Sequence, residues 1–352
     1  MINQTKYKEP IKYNKLTEVL PLPTPYCILI DPCNVCNFRC SFCPAGYPDL
    51  LRTVSRPKGM MELALFQKVI DDIADFGEKI KVIALYKDGE PFLNEDLVKM
   101  IIYTKKKNIA DRISVTTNGS RIDESKALQI IDSGLSVIKF SIEHVNNEGY
   151  KNVTKNYSDY DRIRKNVEFL YSEKEKRNSE LEVRCKINDL PLTDIEKEKF
   201  INDFEPISDH VYISNLMGWN NQNGIDFSLG KDYEKDKKTQ YANTTAKTNW
   251  KVCPELFYKM AVNFDGTVSP CCGDWSHGAL IGDVKKDRLI DIWHGEILKS
   301  YRLQHLNGEK NKIDVCASCD MPNFMAKESD LDEDSTMLYE KFVKYDTAIC
   351  KN

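Results

Sequence analysis

Cys36, Cys40 and Cys43 stand in one short stretch, Cys36-Asn37-Phe38-Arg39-Cys40-Ser41-Phe42-Cys43, spaced C-x3-C-x2-C. Three thiolates on one tight loop can fill three corners of an iron–sulfur cube and leave the fourth iron without a protein ligand. An open position of that kind is what a catalytic metal site keeps for a substrate or cofactor. A zinc knuckle uses similar residues, so the loop alone leaves the metal open. A second set lies further on: Cys253, the adjacent pair Cys271-Cys272, and Cys316 with Cys319 as C-x2-C. With one thiol of the pair, these make a complete four-thiolate site, which suits structural zinc or an iron–sulfur cluster. The five histidines show no zinc-type pairing.

The elements that must position these residues alternate. An apolar run over Tyr26–Asp31 predicts a buried strand directly before the first cysteine loop. Glu62–Phe76 has helical periodicity through Leu63, Phe66, Val69, Ile70 and Ile73, and Lys79–Tyr86 is a β-type run. Helices are predicted at Glu95–Lys107, Asp123–Ser133, Tyr160–Lys174 and Thr193–Phe204, and strands at Arg112–Thr117, Val137–Ile142, Leu181–Ile187 and His210–Ile213. Strands alternating with such helices predict an α/β fold with parallel strands and right-handed crossovers, either a partial (β/α)6 TIM-like barrel or an open doubly wound sheet. In both, chemistry collects at the carboxyl ends of the strands, where the cysteine loop falls. Asp88-Gly89-Glu90-Pro91, Thr117-Asn118-Gly119 and Ser141-Ile142-Glu143 fall at further strand ends. Arg184 and Lys186 alternate along the fifth strand and therefore share a face. Downstream, Lys259–Val268 reads as a hairpin with an Asp-Gly turn, followed by a helix over Leu289–Leu303.

The C-x3-C-x2-C loop, with Phe42 before its last cysteine, resembles that of the radical SAM superfamily. Asp88-Gly89-Glu90-Pro91 resembles that family's G-G-E-P motif, with Asp88 in place of the first glycine. The resemblance favours the partial barrel and implies a [4Fe-4S] cluster on Cys36, Cys40 and Cys43 that binds S-adenosylmethionine (SAM). Phe42, Gly89, Glu90, Asn118, Ser141, Glu143 and Arg184 are then the candidates for holding SAM. Arg184 is preferred to Lys186 because a planar guanidinium suits a carboxylate. The later cysteines resemble the SPASM and twitch modules of the same superfamily, which implies an auxiliary [4Fe-4S] cluster on Cys253, Cys271, Cys316 and Cys319. Cys272 and Asp274 are then left as candidates to meet the substrate. The expected chain plan is a 1–24 extension, a 25–215 radical SAM barrel, a polar 216–249 segment, a 250–325 SPASM/twitch α+β module and a 326–352 tail.

The resemblance implies an oxidoreductase that dehydrogenates a polar, carbohydrate-like small molecule such as an amino sugar or cyclitol. The alternatives are an epimerase with Cys272 as hydrogen donor, a peptide or protein maturase and, from another class, a non-catalytic iron–sulfur or zinc protein. An electron donor such as flavodoxin or ferredoxin is implied as partner. The formal charge of −4 argues against a general nucleic-acid binder, and no apolar run approaches membrane-spanning length. Twelve cysteines without a secretory segment point to a reducing compartment, hence the cytoplasm.

Overall fold

The computed structural model describes residues 15–189, 192–216, 218, 225, 227, 229, 247, 249–325 and 327–349. Its framework is one nine-stranded sheet in the order β6-β5-β4-β3-β2-β1-β7-β8-β9. The strands are β1 (Cys27–Ile30), β2 (Ile80–Ala84), β3 (Ala110–Thr117), β4 (Val137–Ile142), β5 (Glu182–Asn188) and β6 (His210–Ser214). Each pairs in parallel with its sequence neighbour. The intervening helices are α1 (Leu63–Ile73), α2 (Leu97–Lys107), α3 (Glu124–Asp132), α4 (Asn147–Thr154), α5 (Tyr160–Lys176) and α6 (Asp194–Phe204). The result is the open partial barrel, with β6 and β9 as its free edges.

Alternation along the strands separates two environments. Ile28 and Ile30, Ile83, Ile113 and Val115, Ile138 and Phe140, and Val183 and Ile187 join the main core with Val69, Ile70, Ile101, Ile130, Ile163 and Phe200 of the helices. The opposite face carries Cys27 and Leu29 of β1, packed with Val82, Ala84 and Tyr86, and further round Lys139, Ser141, Arg184 and Lys186. An apolar outer face covered by helices fixes the register, because a one-residue slip would turn every side chain over. The inner face is thereby free to be polar.

The C-terminal module does not sit on a sheet of its own. β7 (Lys259–Val262) pairs in parallel with β1, Cys27 opposite Lys259, and turns back through β8 (Thr267–Ser269) to β9 (Gly282–Asp283). The predicted Asp-Gly hairpin is therefore also a continuation of the barrel. The helix expected over Leu289–Leu303 is broken into α7 (Leu289–Trp293) and α8 (Glu296–Leu306) by Gly295 at the second helix's N-cap. The break frees the carbonyl of Trp293, which accepts from Arg302 Nη1 at 3.2 Å while the guanidinium stacks 4.1 Å from the indole. Among the helices that escaped the sequence reading are α4 and α9 (Ser335–Ile349). In α9, Phe342 is buried against Phe257, at 5.3 Å between ring centroids. Most of 216–249, and Cys350, lie outside the described residues. Among the described residues no helix is long and apolar enough to cross a membrane.

Candidate functional site

The first cysteine loop is held mainly by its backbone and by asparagines, with Phe38 N also donating to Cys36 Sγ at 3.4 Å. Arg39 and Ser41 donate their amides to the carbonyls of Thr154 and Val153 at the end of α4, each at 3.0 Å. Asn156 Nδ2 donates to Asn37 O, and Asn34 ties the loop base to Pro57 and Gly59. Phe38 is buried against Tyr157, 4.6 Å between ring centroids. Phe42 packs half-buried on the main core. The three thiols turn to a common interior: burial raises each of them, and each is raised further by the charge of its neighbours and of Glu143. Cys43 is pushed up to about 11, chiefly by burial. Thiols so buried stay protonated unless a cationic metal core draws the protons off.

Gly89 lies under this loop. A Cβ there would overlap the carbonyl oxygens of Cys33 and Val35, so the glycine serves close backbone packing. Glu90 is buried, and its carboxylate accepts from Phe92 N at 3.0 Å, Thr117 Oγ1 at 2.7 Å and Asn118 N at 2.8 Å. It thus clamps the end of β3 to the end of β2. Asn118, so fixed, donates through Nδ2 to Asn37 Oδ1 at 3.0 Å and lies 4.0 Å from Cys36 Sγ. Glu90→Ala leaves one hydroxyl and two amides without their acceptor, and is expected to cost on the order of 3 kcal/mol. A urea midpoint equal to that of the wild-type protein would show that the clamp holds nothing.

Ser141 and Lys186 are register partners on β4 and β5, one step below Glu143. Burial pushes Glu143 up to about 7, opposed by Lys186, and burial lowers Lys186 in turn. Arg184 is elsewhere. It pairs with Lys139 one level deeper in the barrel, and its guanidinium is taken by Glu182, with Nε donating to Oε1 at 2.8 Å. Of the two β5 cations on this face, Lys186 is the one beside Ser141 and Glu143.

In the C-terminal module, Cys253, Cys271, Cys316 and Cys319 ring one cavity together with Gly273, His305 and Met321. Among the described residues no three His, Cys, Asp or Glu side chains converge on a single ion position. Thiols spaced around a cavity are what a polynuclear cluster requires. Burial raises all four, and Cys271 feels the charge of Cys272, Cys253, Cys319 and Cys316. Cys272 is not part of the ring and stands between two environments. It packs with Cys27, Leu29, Ala84 and Tyr86 on the barrel's inner face and also against Trp250, Met321 and Met325, and its Sγ lies 3.7 Å from Glu255 Oε2. Glu255 is itself held by Tyr258 Oη and by Lys259 Nζ at 2.5 Å.

Asp274, expected to meet the substrate, is fully buried and closes its own loop. It accepts from Ser269 Oγ and Gly278 N, both at 2.8 Å, and from Ala279 N at 3.3 Å. Three residues that sequence reasoning passed over take prominent places. Asp31, on the face of Cys27 and Leu29, is fully buried with only the Asp88 amide to bond its carboxylate, and burial, then the charge of Asp88, pushes it up to about 7. His305 is fully buried in the four-thiol cavity, where its Nδ1 accepts from Cys253 N at 3.1 Å and its Nε2 has no partner. Lys139 lies on the inner face among Lys186 and Arg184. Strand parity would have placed Asp31 and Lys139; nothing in the sequence pattern points to His305.

Residues 30–180 match the model of the radical SAM superfamily, so this part of the chain is a radical SAM domain. Residues 253–320 match SPASM, described as an iron–sulfur cluster-binding domain, so the chain carries the auxiliary module as well. Its cofactors are SAM and [4Fe-4S] clusters at the radical SAM and auxiliary sites. Among curated proteins it is similar to a GTP 3',8-cyclase of Actinobacillus pleuropneumoniae, 27% identical over 122 residues, 34% of each chain. It thus spans about a third of the length of the curated relatives it matches. Among solved structures it resembles BtrN in complex with AdoMet and 2-DOIA, with TM-score 0.54, 18% identity and coverage of 87% of this chain and 97% of that one. It also resembles Streptococcus suis SuiB bound to precursor peptide SuiA, with TM-score 0.61, 14% identity and coverage of 88% and 73%. At these identities the likeness speaks for the fold.

Proposed function

We propose that the protein is a radical SAM oxidoreductase that dehydrogenates a polar small molecule, of the sugar or cyclitol kind, held inside the barrel. The observation that supports this is the placing of two adjacent thiols: Cys271 lines the four-thiol ring, while Cys272 lies between that module's Trp250, Met321 and Met325 and the barrel interior. One residue step therefore separates the auxiliary site from the substrate chamber.

Cys36, Cys40 and Cys43 would hold the SAM-binding cluster, and Cys253, Cys271, Cys316 and Cys319 the auxiliary one. Together these groups supply a hydrogen-abstracting radical and a one-electron store. The chain's own residues do the rest. Lys186, level with Ser141 and next to Glu143, takes the carboxylate-binding role first given to Arg184. Glu90 fixes the Asn118 turn beside Cys36, and Phe42 and Gly89 hold the loop in place. Oxidation of an alcohol also releases a proton, and Asp31, buried at the end of β1, would take it, since Asp274 is bonded within its own loop. His305, with Nδ1 occupied as acceptor, carries its proton on Nε2 and aims that donor at the ring of thiols. Because hydrogen bonds to cluster sulfur raise reduction potential, His305→Leu is expected to lower the auxiliary potential in an EPR-monitored redox titration, while His305→Gln restores part of it. Equal potentials in all three proteins would remove the donor role. The electron donor is expected to be a flavodoxin or ferredoxin.

Cys272 also supports a second reading, epimerisation, in which its thiol returns a hydrogen atom to the substrate carbon from within the chamber. One assay separates the two. The reconstituted enzyme is incubated anaerobically in D2O with SAM, reductant and fractionated polar metabolites, and 5'-deoxyadenosine is followed alongside product mass. A product lighter by two hydrogens supports dehydrogenation. An isomer carrying one solvent deuterium selects the Cys272 reading, and turnover only with peptides overturns both.

A further inference from the structure

The inner face of the barrel holds a second cavity, of about 180 Å³, alongside β2 to β5. Its polar lining consists of Tyr86, Arg112, Ser114, Thr116, Lys139 and Arg184, and no carboxylate is among the lining residues. The nearby Glu182 is already shared three ways: Arg112 Nη2 lies 2.5 Å, Arg184 Nη2 2.7 Å and His210 Nε2 2.8 Å from its oxygens. Lys139 has no ion-pair or hydrogen-bond partner among the described residues. Burial, with Lys186 and Arg184 adding like charge, pulls its ammonium down to about 8. The Thr116 hydroxyl, also in the lining, is buried beside the Tyr86 hydroxyl. Arg112 and Arg184 already share Glu182, so Lys139 beside them is left without a paired counter-charge until an anion enters, and hydroxyl and guanidinium donors are the groups that would bind its oxygens.

We infer that this cavity binds an anionic group of the substrate, a phosphate or carboxylate, with Lys139 as its charge partner and Arg184, Ser114 and Thr116 as surrounding donors. The inference rests on the barrel interior being the substrate chamber. It narrows the polar small molecule proposed above to one that carries such a group. A substrate with amines alone would meet like charge here, so the amino-sugar expectation survives only for a phosphorylated or carboxylated form.

The test uses the reconstituted holoenzyme, with SAM present so that Lys186 is covered. Pyridoxal 5'-phosphate, an anionic aldehyde, is added with cyanoborohydride, and the peptides are mapped for the reduced adduct. Lys139 is expected to carry the adduct, and excess inorganic phosphate should reduce the labelling several-fold. Pyridoxal, which lacks the phosphate, should label several-fold less. Acetate runs in parallel: protection at lower phosphate than acetate concentration identifies a phosphate site, and the reverse a carboxylate site. An adduct that forms equally with pyridoxal and ignores both anions would overturn the inference, as would no adduct at Lys139. The same preparation is assayed for 5'-deoxyadenosine. Cleavage of SAM without anion protection removes the anion site alone, whereas protection without cleavage removes the radical reading and leaves the site.

Discussion

A protein in which Cys36, Cys40 and Cys43 are all alanine is expected to bind about four irons where the reconstituted wild type binds about eight, and to form no 5'-deoxyadenosine from SAM and reductant. The loss should be local. The loop is sewn to α4 by the amides of Arg39 and Ser41, and to its base by Asn34, and none of these bonds involves a thiol. Circular dichroism and the urea midpoint should therefore change little, and the remaining cluster should keep its EPR signal. Iron equal to the wild type, or deoxyadenosine still formed, would show that these three residues are not the ligands of the SAM-binding cluster. Zinc in place of iron at both sites of the wild type would remove the radical chemistry altogether.

The converse replacement, Cys316→Ser with Cys319→Ser, is expected to give the complementary result. About four irons again remain, but now SAM is still cleaved in the presence of reductant while the oxidised product disappears. The separation follows from geometry, because all four auxiliary thiols lie around their own cavity and none belongs to the loop after β1. The module should keep its shape through buried Trp275 and Trp293 and through Arg302 bonded to the carbonyls of Leu256 and Trp293. If both deoxyadenosine and product survive unchanged, the auxiliary site is structural and the oxidation must deliver its electron elsewhere. If deoxyadenosine is lost as well, the two sites are not separable and the division of labour fails.

What was legible in the sequence was whatever is encoded locally. The run before each strand end, the two cysteine spacings and the helix periodicities all depend on neighbours within a few residues, and they led to the right architecture. Depth was not legible. Arg184 and Lys186 share a face by parity, but which of them stands level with Ser141 depends on how β5 registers against β4, a property of the pair. Asp274 failed for a different reason: a loop carboxylate can face a ligand or fold back on its own amides, and spacing does not say which. The adjoining of β7 to β1 joins strands from opposite ends of the chain, beyond the reach of any local pattern.

That junction has a consequence for how the chain is made. β1 leaves the ribosome before the other strands of this sheet, and the partner for its second edge is translated only after β6 has emerged. Until then a short apolar strand waits with one row of amides and carbonyls open, the condition under which nascent chains pair with the wrong neighbour. The auxiliary module thus acts as a late molecular closure as well as a cofactor site, and chains truncated before Lys259 would be the ones that chaperones retain.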